Sequence, residues 1–313
     1  YYDNQNGGRS GSAYIYNRNT STGQWQETAK LTASDGRSSD RFGTAVAIEG
    51  NTAVVGARND DDGQKESGSL YIFNKGNNGN WSQVQKLTAS DPAHGALLGE
   101  ERVAIDGNII IAGAPGDDDN GNDSGSAYIF SFNGTQWVET AKLTGDYFGF
   151  SVDIEGNIAV VGSRNVNGKG AVYAFERSGN NWNQISKYTA SDGASGDLLG
   201  WSVSVEGDVV LGSAKNDNTS QGAGYIFDFN NSGGGGEPPK GTITVVKSTD
   251  IEDATNFNFN GDLGSFTLDD ANPDDGDGVN NSRVFNNLNA GRYTVRELVT
   301  CGFSLDNIRI NGD

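Results

Sequence analysis

Most of the chain consists of short segments in which apolar and polar positions alternate, separated by turns that are rich in glycine. Residues 126–130, Ser-Ala-Tyr-Ile-Phe, are typical. Small, aromatic and β-branched residues follow one another there, which predicts a β-strand. An acidic loop precedes this segment, and another apolar segment ends at Gly113 before the loop. The pattern therefore predicts strand, polar loop and strand.

This unit recurs along the chain. The strand with Ser-Ala-Tyr character occurs five times, centred on Tyr14, Tyr71, Tyr128, Tyr173 and Tyr225. A segment that starts with tryptophan and leads into Lys-Leu-Thr or Lys-Tyr-Thr follows four of these strands, at Trp25, Trp81, Trp137 and Trp182. An aromatic residue or leucine before glycine is a third marker, at Phe42, Leu98, Phe148 and Leu199. The repeat predicts four strands per copy, which are residues 43–48, 52–57, 69–74 and 81–87 in the second copy.

A four-stranded unit with a period of about 50 residues is the sequence signature of a β-propeller blade. The turn Glu49-Gly50-Asn51 joins the first two strands, and glycine and asparagine suit the positive φ of a tight hairpin. We therefore predict an all-β fold: a β-propeller-like array of about five copies over residues 1–230, with incomplete terminal copies. We expect that either residues before Tyr1 or another chain completes the open edges.

The repeated markers end at a stretch rich in glycine and proline, residues 231–240, which is predicted to be a linker. Beyond it, residues 241–313 show a different strand pattern. Strands are predicted at residues 242–247, 257–259, 265–268, 282–285 and 293–298, which together indicate a small C-terminal β-sandwich.

The composition of the chain argues against several classes of function. The formal net charge is −19, and a surface of that sign repels nucleic-acid phosphates and anionic lipid, so we expect no nucleic-acid partner and no membrane insertion. The 46 glycines fit many short strands joined by turns. The only histidine is His94 and the only cysteine is Cys301, which leaves little for zinc or for a histidine-based triad. We predict a protein that is not an enzyme, with His94 on the surface and Cys301 either buried or paired with another chain.

The repeat resembles the FG-GAP repeats of bacterial surface proteins and, more distantly, of the integrin α-chain propeller. Phe42-Gly43, Gly113-Ala114-Pro115 and the repeated Gly-Ser-Ala-Tyr carry the resemblance. It implies a propeller at an extracellular or cell-surface location, of bacterial type. The repeated tryptophans then pack between blades rather than form a sugar-binding platform.

The C-terminal segment resembles prealbumin-like, Cna B-type sandwich modules. The resemblance rests on residues 241–247, Phe285-Asn286-Asn287-Leu288 and residues 291–297, and it implies a module that lacks its last strand. Such modules join a lysine to an asparagine beside a glutamate. By position, Lys247 and Glu297 match the lysine and the glutamate of this isopeptide cross-link, and the alternative is an ordinary exposed lysine.

Two acidic loops could bind Ca²⁺, which prefers clustered carboxylate and amide oxygens. The candidate ligands are Asp60, Asp61 and Asp62 in one loop and Asp117, Asp118, Asp119, Asn120 and Asp123 in the other. Integrin-type repeats use similar loops for calcium. The alternative is a solvated loop with Asx-turns, and both interpretations stay open.

Seven sequons of the form Asn-X-Ser/Thr mark candidate glycosylation sites, at Asn19, Asn80, Asn122, Asn133, Asn218, Asn230 and Asn280. Two functional hypotheses follow from the whole sequence. The first is a structural subunit of an extracellular fibre or appendage, a homopolymer assembled by strand or edge complementation between protomers. The second is an adhesion or ligand-binding propeller that recognises a protein or a glycan, with or without calcium.

Overall fold

The computed structural model is nearly all-β, as predicted, and divides into two compact units, Tyr1–Phe229 and Asn230–Asp313. It describes residue 3 and residues 7–119, 121, 124–217, 222–229, 241–246, 256–261, 264–269, 282–288, 295–297 and 309–311. The linker at residues 231–240, Lys247 and Cys301 lie outside these ranges.

The first unit contains five antiparallel sheets, in which each strand pairs with the strand that follows it in the chain. We call the sheets blades 1 to 5. Blade 1 is Ala13–Arg18 (β1) and Trp25–Leu31 (β2); blade 2 is Phe42–Glu49 (β3), Thr52–Ala57 (β4), Ser69–Lys75 (β5) and Trp81–Leu87 (β6); blade 3 is Val103–Asp106 (β7), Ile109–Ala114 (β8), Ser126–Phe132 (β9) and Trp137–Thr144 (β10); blade 4 is Ser151–Glu155 (β11), Ile158–Ser163 (β12), Ala171–Ser178 (β13) and Asn181–Tyr188 (β14); blade 5 is Leu199–Glu206 (β15), Val209–Ala214 (β16) and Ala223–Asp228 (β17).

Successive side chains of the central strands point to opposite faces of each blade, and both faces are apolar. In blade 2, Tyr71 and Phe73 point to blade 1, and Val54 and Ile72 point to blade 3. Blades 3 and 4 repeat this arrangement, so a tyrosine face of one blade packs on an isoleucine or valine face of the preceding blade. The core is therefore a series of interblade layers.

The glycines of the FG-GAP pattern bring neighbouring blades into close contact. Gly149, in Phe-Gly of blade 4, has φ +75°, and a Cβ at this position would lie 2.0 Å from the carbonyl oxygen of Ser126. A Cβ on Gly113, in Gly-Ala-Pro of blade 3, would lie 1.9 Å from the carbonyl oxygen of Gly149. A side chain at either position would force the two backbones apart.

The described residues of the second unit form two three-stranded sheets. The strands are Gly241–Val246 (β18), Asn256–Gly261 (β19), Phe266–Asp269 (β20), Ser282–Leu288 (β21), Val295–Glu297 (β22) and Arg309–Asn311 (β23). One sheet has the order β21-β18-β23 and the other β20-β19-β22. The rings of Phe266 and Phe285 meet edge to face between the sheets, with centroids 5.0 Å apart. Strand β23 was not predicted from the sequence, because Arg-Ile-Asn offers only one apolar position.

Candidate functional site

The acidic loop of blade 2 closes over a lysine. The Lys86 ammonium, from β6, contacts three carboxylates: Asp35 at 2.7 Å, Asp60 at 3.0 Å, and Asp62. The hydroxyl of Tyr71 donates to Asp60 at 2.8 Å and lies 2.9 Å from Asp35. Asp60 is buried, so its charge needs a nearby cation. The group is a carboxylate cluster filled by an ammonium ion.

Blade 3 builds the same cluster from equivalent residues. Lys142 contacts Asp91 at 2.8 Å, Asp117 at 3.0 Å and Asp119 at 2.5 Å. The Tyr128 hydroxyl lies 2.6 Å from Asp117 and 2.8 Å from Asp91. Asp117 is completely buried. We call each group of lysine, tyrosine and aspartates a lysine clamp.

Each lysine clamp links two blades, because its aspartates come from different segments. Asp60 and Asp62 lie between β4 and β5 of blade 2, whereas Asp35 lies on the connection that leaves blade 1. Asp91 plays the part of Asp35 on the connection between blades 2 and 3. The clamp therefore fixes the incoming connection to the acidic loop of the next blade.

The charge balance in the clamps shifts several pKa values. Burial lowers the pKa of Lys86 and Lys142, but hydrogen bonds to the surrounding aspartates outweigh burial, so both pKa values are raised. Burial also raises the pKa of Asp35 and Asp91, while the lysine and tyrosine hydrogen bonds lower it, and the net shift is downward. Lys86, Lys142, Asp35 and Asp91 thus stay charged at neutral pH.

The other blades carry incomplete versions of the clamp. In blade 4, Lys187 lies 5.0 Å from the centroid of Tyr173, but the buried Val166 stands where blades 2 and 3 have a buried aspartate, three residues after the end of the second strand. In blade 1, Lys30 pairs with Asp3 at 2.6 Å. In blade 5, the Tyr225 hydroxyl bonds Asp192 at 2.7 Å and also bonds Asp217, and among the described residues no lysine or arginine forms a salt bridge with these two aspartates.

Four of the predicted calcium ligands lie in these clamps: Asp60, Asp62, Asp117 and Asp119. Asp35, Asp60 and Asp62 place carboxylate oxygens within 4.8 Å of one another, a donor set of the kind calcium uses. A calcium ion that used them would have to displace the Lys86 ammonium, so calcium binding stays a prediction. Asp61 and Asp118 are exposed, and Asp61 accepts a hydrogen bond from the backbone of Glu66 at 2.7 Å. Asn120 and Asp123 lie outside the described residues.

Three of the predicted sequons occupy the same place in successive blades. Asn19, Asn80 and Asn133 lie in the turns before the tryptophan strands of blades 1, 2 and 3. The Asn133 side chain accepts backbone hydrogen bonds from Thr135 and Gln136, which makes an Asx-type turn. The structure does not describe Asn122, Asn218, Asn230 or Asn280. Of the cross-link pair, Glu297 lies in β22 and its side chain is not described.

A cavity of 310 Å³ lies beside the connection into blade 4. Its lining residues are Pro115, Tyr147, Phe150, Arg164, Asn165 and Leu198. The Arg164 guanidinium lies 4.1 Å from the centroid of the Phe150 ring and 5.7 Å from that of Trp201. The cavity therefore contains a positively charged group that is held over aromatic rings, in a protein whose net charge is negative.

The sequence analysis missed a second set of interblade contacts. Glu49 accepts a hydrogen bond from the backbone of Gly107 at 2.6 Å, Asp106 accepts one from Gly156, and Glu155 accepts one from Gly207 at 2.5 Å. Each carboxylate sits before the glycine of one hairpin and binds the glycine of the next. The recurring acid before glycine was a signal that could have revealed them.

The repeated tryptophans pack between blades, as predicted, wherever a preceding blade is present. Trp137 is buried between blades 2 and 3, and Trp81 and Trp182 pack against interblade layers. Trp25 in blade 1 is 68% exposed. His94 is exposed, as expected. Among the residues that the structure describes, no helix has the length and apolar character needed to span a membrane.

Comparison with known proteins agrees with this architecture. The FG-GAP repeat model matches residues 25–73, 81–130, 137–175 and 182–227, more than half of the chain. Each match starts at a tryptophan strand and includes the first three strands of the next blade. No curated protein matches the chain. FG-GAP repeats form propeller-type, generally non-enzymatic proteins that are typically extracellular and often serve adhesion or ligand binding. With four matched repeats arranged as successive blades, this chain belongs to the FG-GAP repeat family.

Proposed function

We propose that the protein is a non-enzymatic, extracellular structural subunit of a surface fibre or appendage, in which the terminal blades of one protomer are completed by another. The proposal includes a bacterial cell-surface location, glycans on the sequon turns and a Cna B-type sandwich as the second unit. The observation that carries it is the exposure of apolar faces at both ends of the blade array.

Blade 5 exposes the face that in other blades supports the next blade. Leu211 and Ile226 lie opposite each other on β16 and β17 and are 46% and 51% exposed. The equivalent pairs in blades 2, 3 and 4 are fully buried: Val54 and Ile72, Ile111 and Ile129, and Val160 and Ala174. Blade 5 therefore presents an acceptor face of the interblade type.

Blade 1 exposes the opposite face. Tyr14, Tyr16 and Trp25 are all exposed, whereas the equivalent residues Tyr71 and Phe73 of blade 2 are buried against blade 1. Burial of one large apolar side chain stabilises an association by about 1.5–3 kcal/mol. In every internal junction, the tyrosine face of one blade packs on the aliphatic face of the preceding blade. Blade 1 exposes a face of the first kind and blade 5 a face of the second kind, so head-to-tail association of copies would continue the array.

The test is the assembly state of the full chain. Analytical ultracentrifugation and negative-stain microscopy should show concentration-dependent linear or ring-shaped assemblies. Ile226→Asp should weaken assembly, while Val84→Asp, at an exposed apolar position in the middle of the array, should not. A monomer at every concentration, or equal behaviour of the two variants, would contradict the proposal.

The cavity beside blade 4 supports a second candidate function, adhesion to a protein or glycan ligand. Arg164 offers a hydrogen-bonding cation, and Tyr147 and Phe150 offer ring surfaces, the combination found in sites for acidic or sugar groups. Screening against immobilised glycans and matrix proteins, with Arg164→Gln as the site variant and chelator as the calcium control, tests this function. Binding that survives Arg164→Gln would rule out the cavity as the site.

A further inference from the structure

We propose that the edge of β17 is an acceptor for an extended segment that carries a tryptophan and, five residues later, a lysine whose ammonium enters the Asp192–Asp217–Tyr225 cluster. The inference rests on the proposed assembly and specifies its partner: strand β2 of a second copy. It makes β17 and the incomplete clamp of blade 5 a binding site for a defined peptide pattern.

The strand pairing of the other blades sets the expected register. Lysine and tyrosine lie opposite each other in four pairs: Tyr14 with Lys30, Tyr71 with Lys86, Tyr128 with Lys142, and Tyr173 with Lys187. The tryptophan lies opposite the residue four positions after each tyrosine. In blade 5 this register places an incoming lysine opposite Tyr225 and an incoming tryptophan opposite Phe229.

In the described part of the chain, β17 is an edge strand. Among the described strands, β17 pairs only with β16 and ends the order β15-β16-β17. An edge strand presents backbone donors and acceptors that pair readily with an added strand. The sheets of blades 2, 3 and 4 all use the equivalent edge for their tryptophan strands.

The side chains beside this edge are arranged for a cation. Asp217 is 4% exposed and Tyr225 bonds both Asp217 and Asp192, as Tyr128 bonds Asp117 and Asp91. In blades 2 and 3 the equivalent carboxylates bind a lysine of the fourth strand. The comparison of blade 5 with blades 2 and 3 thus indicates that the ligand is an ammonium group carried by a β-strand. This group would form a charge-assisted hydrogen bond with the buried carboxylate.

Strand β2 is the best donor within a second copy. It carries Trp25 and Lys30 at the required spacing, and most of its residues are exposed. Exchange of such an element between identical chains is a common route to association.

The experiment measures binding of a labelled peptide, residues 24–33 (Gln-Trp-Gln-Glu-Thr-Ala-Lys-Leu-Thr-Ala), to the full chain by fluorescence anisotropy. We expect saturable binding that weakens at least tenfold when the peptide lysine is changed to glutamine. In the protein, Asp217→Asn should weaken binding at least tenfold, and Asp192→Asn should weaken it severalfold. Because Asp192 is exposed, its variant tests the site even if Asp217→Asn fails to fold. Glu176→Gln, an equal charge change on an exposed residue of blade 4, is the control and should bind normally.

The outcomes separate this inference from the proposed function. Equal binding of the lysine and glutamine peptides, or no binding at all, would overturn the inference even if the chain polymerises. Lysine-dependent binding to a chain that stays monomeric would support the acceptor site and would instead contradict a second copy as its natural donor. Polymerisation that the peptide inhibits, in a manner that depends on its lysine, would support both.

Discussion

Removal of the lysine from a complete clamp is the sharpest test of what holds the blades together. In Lys142→Met, the fully buried Asp117 loses its cation while the apolar stem of the side chain is kept. Lys187→Met is the matched control, because Lys187 has the same place in the repeat and lies over a tyrosine in the same way, while blade 4 has Val166 where blade 3 has Asp117.

The structure allows the cost to be estimated. Breaking a buried ion pair by removing one partner costs about 3–5 kcal/mol, because a buried charge is left uncompensated. Here Lys142 keeps 16% of its side-chain surface, and Asp117 keeps hydrogen bonds from Tyr128 and from the backbone of Asp119. The contacts to the half-exposed Asp91 and Asp119 add little. We expect a loss of about 2–3 kcal/mol for Lys142→Met and less than about 1 kcal/mol for Lys187→Met.

Urea unfolding followed by tryptophan fluorescence measures both variants at pH 7. At this pH the raised pKa of Lys142 keeps the lysine of the wild type charged. In Lys142→Met the buried Asp117 lacks its cation, so this variant should lose more stability than Lys187→Met. Equal losses for the two variants would refute the reasoning.

Three further predictions concern glycine packing, acid dependence and calcium. Gly149→Ala should destabilise by about 3 kcal/mol or more, since its Cβ would collide with the Ser126 carbonyl, whereas Gly156→Ala, with open space around it, should cost about 1 kcal/mol; comparison of urea midpoints checks this. Burial raises the pKa of Asp40 to about 6. Between pH 4 and pH 6 the folded protein therefore binds more protons than the unfolded chain. As a result, this carboxyl lowers the free energy of unfolding as the pH rises through that window. Asp40→Asn should therefore gain about 1–3 kcal/mol relative to the wild type on going from pH 4 to pH 7, and a gain that does not depend on pH would contradict the assignment. Lys86→Met should show a larger rise in melting temperature with Ca²⁺ than the wild type, because the carboxylates of Asp35, Asp60 and Asp62 then lack an ammonium ion; an equal response would show that calcium does not use this cluster.

The blade strands could be predicted from the sequence because each copy repeats the same local signals. Residues 52–57 were predicted as a strand and form β4 with the same bounds, and the strand predicted at residues 81–87 is β6. Alternating apolar residues and hairpin glycines act over a few residues, so one sequence suffices to read them. In the C-terminal unit, Val295–Glu297 form β22 within the strand predicted at residues 293–298, whose other residues lie outside the described ranges.

The lysine clamps could not be predicted because their members meet only in the folded array. Asp35 lies 51 residues before Lys86, on the connection from the preceding blade. In the sequence the lysine of each Lys-Leu-Thr resembles an ordinary strand residue, and the acidic loops resemble calcium loops. Burial of Asp60 and Asp117 beneath a tyrosine depends on the strand register, which places the tyrosine and the lysine opposite each other.

The junctions between blades are chemically unequal, because Val166 stands where blades 2 and 3 have a buried aspartate. The complete clamps of blades 2 and 3 stabilise their junctions through ion pairs. The stability of these junctions should therefore decrease at extreme pH and depend on ionic strength. Among the described residues, the junction between blades 3 and 4 has no complete clamp. It combines apolar contacts, such as the edge-to-face pair of Phe148 and Tyr173, 5.4 Å apart, with the hydrogen bond from Gly156 to Asp106. Under a pulling force, the junction between blades 3 and 4 should therefore depend less on the salt concentration than the two junctions that join blades 1, 2 and 3.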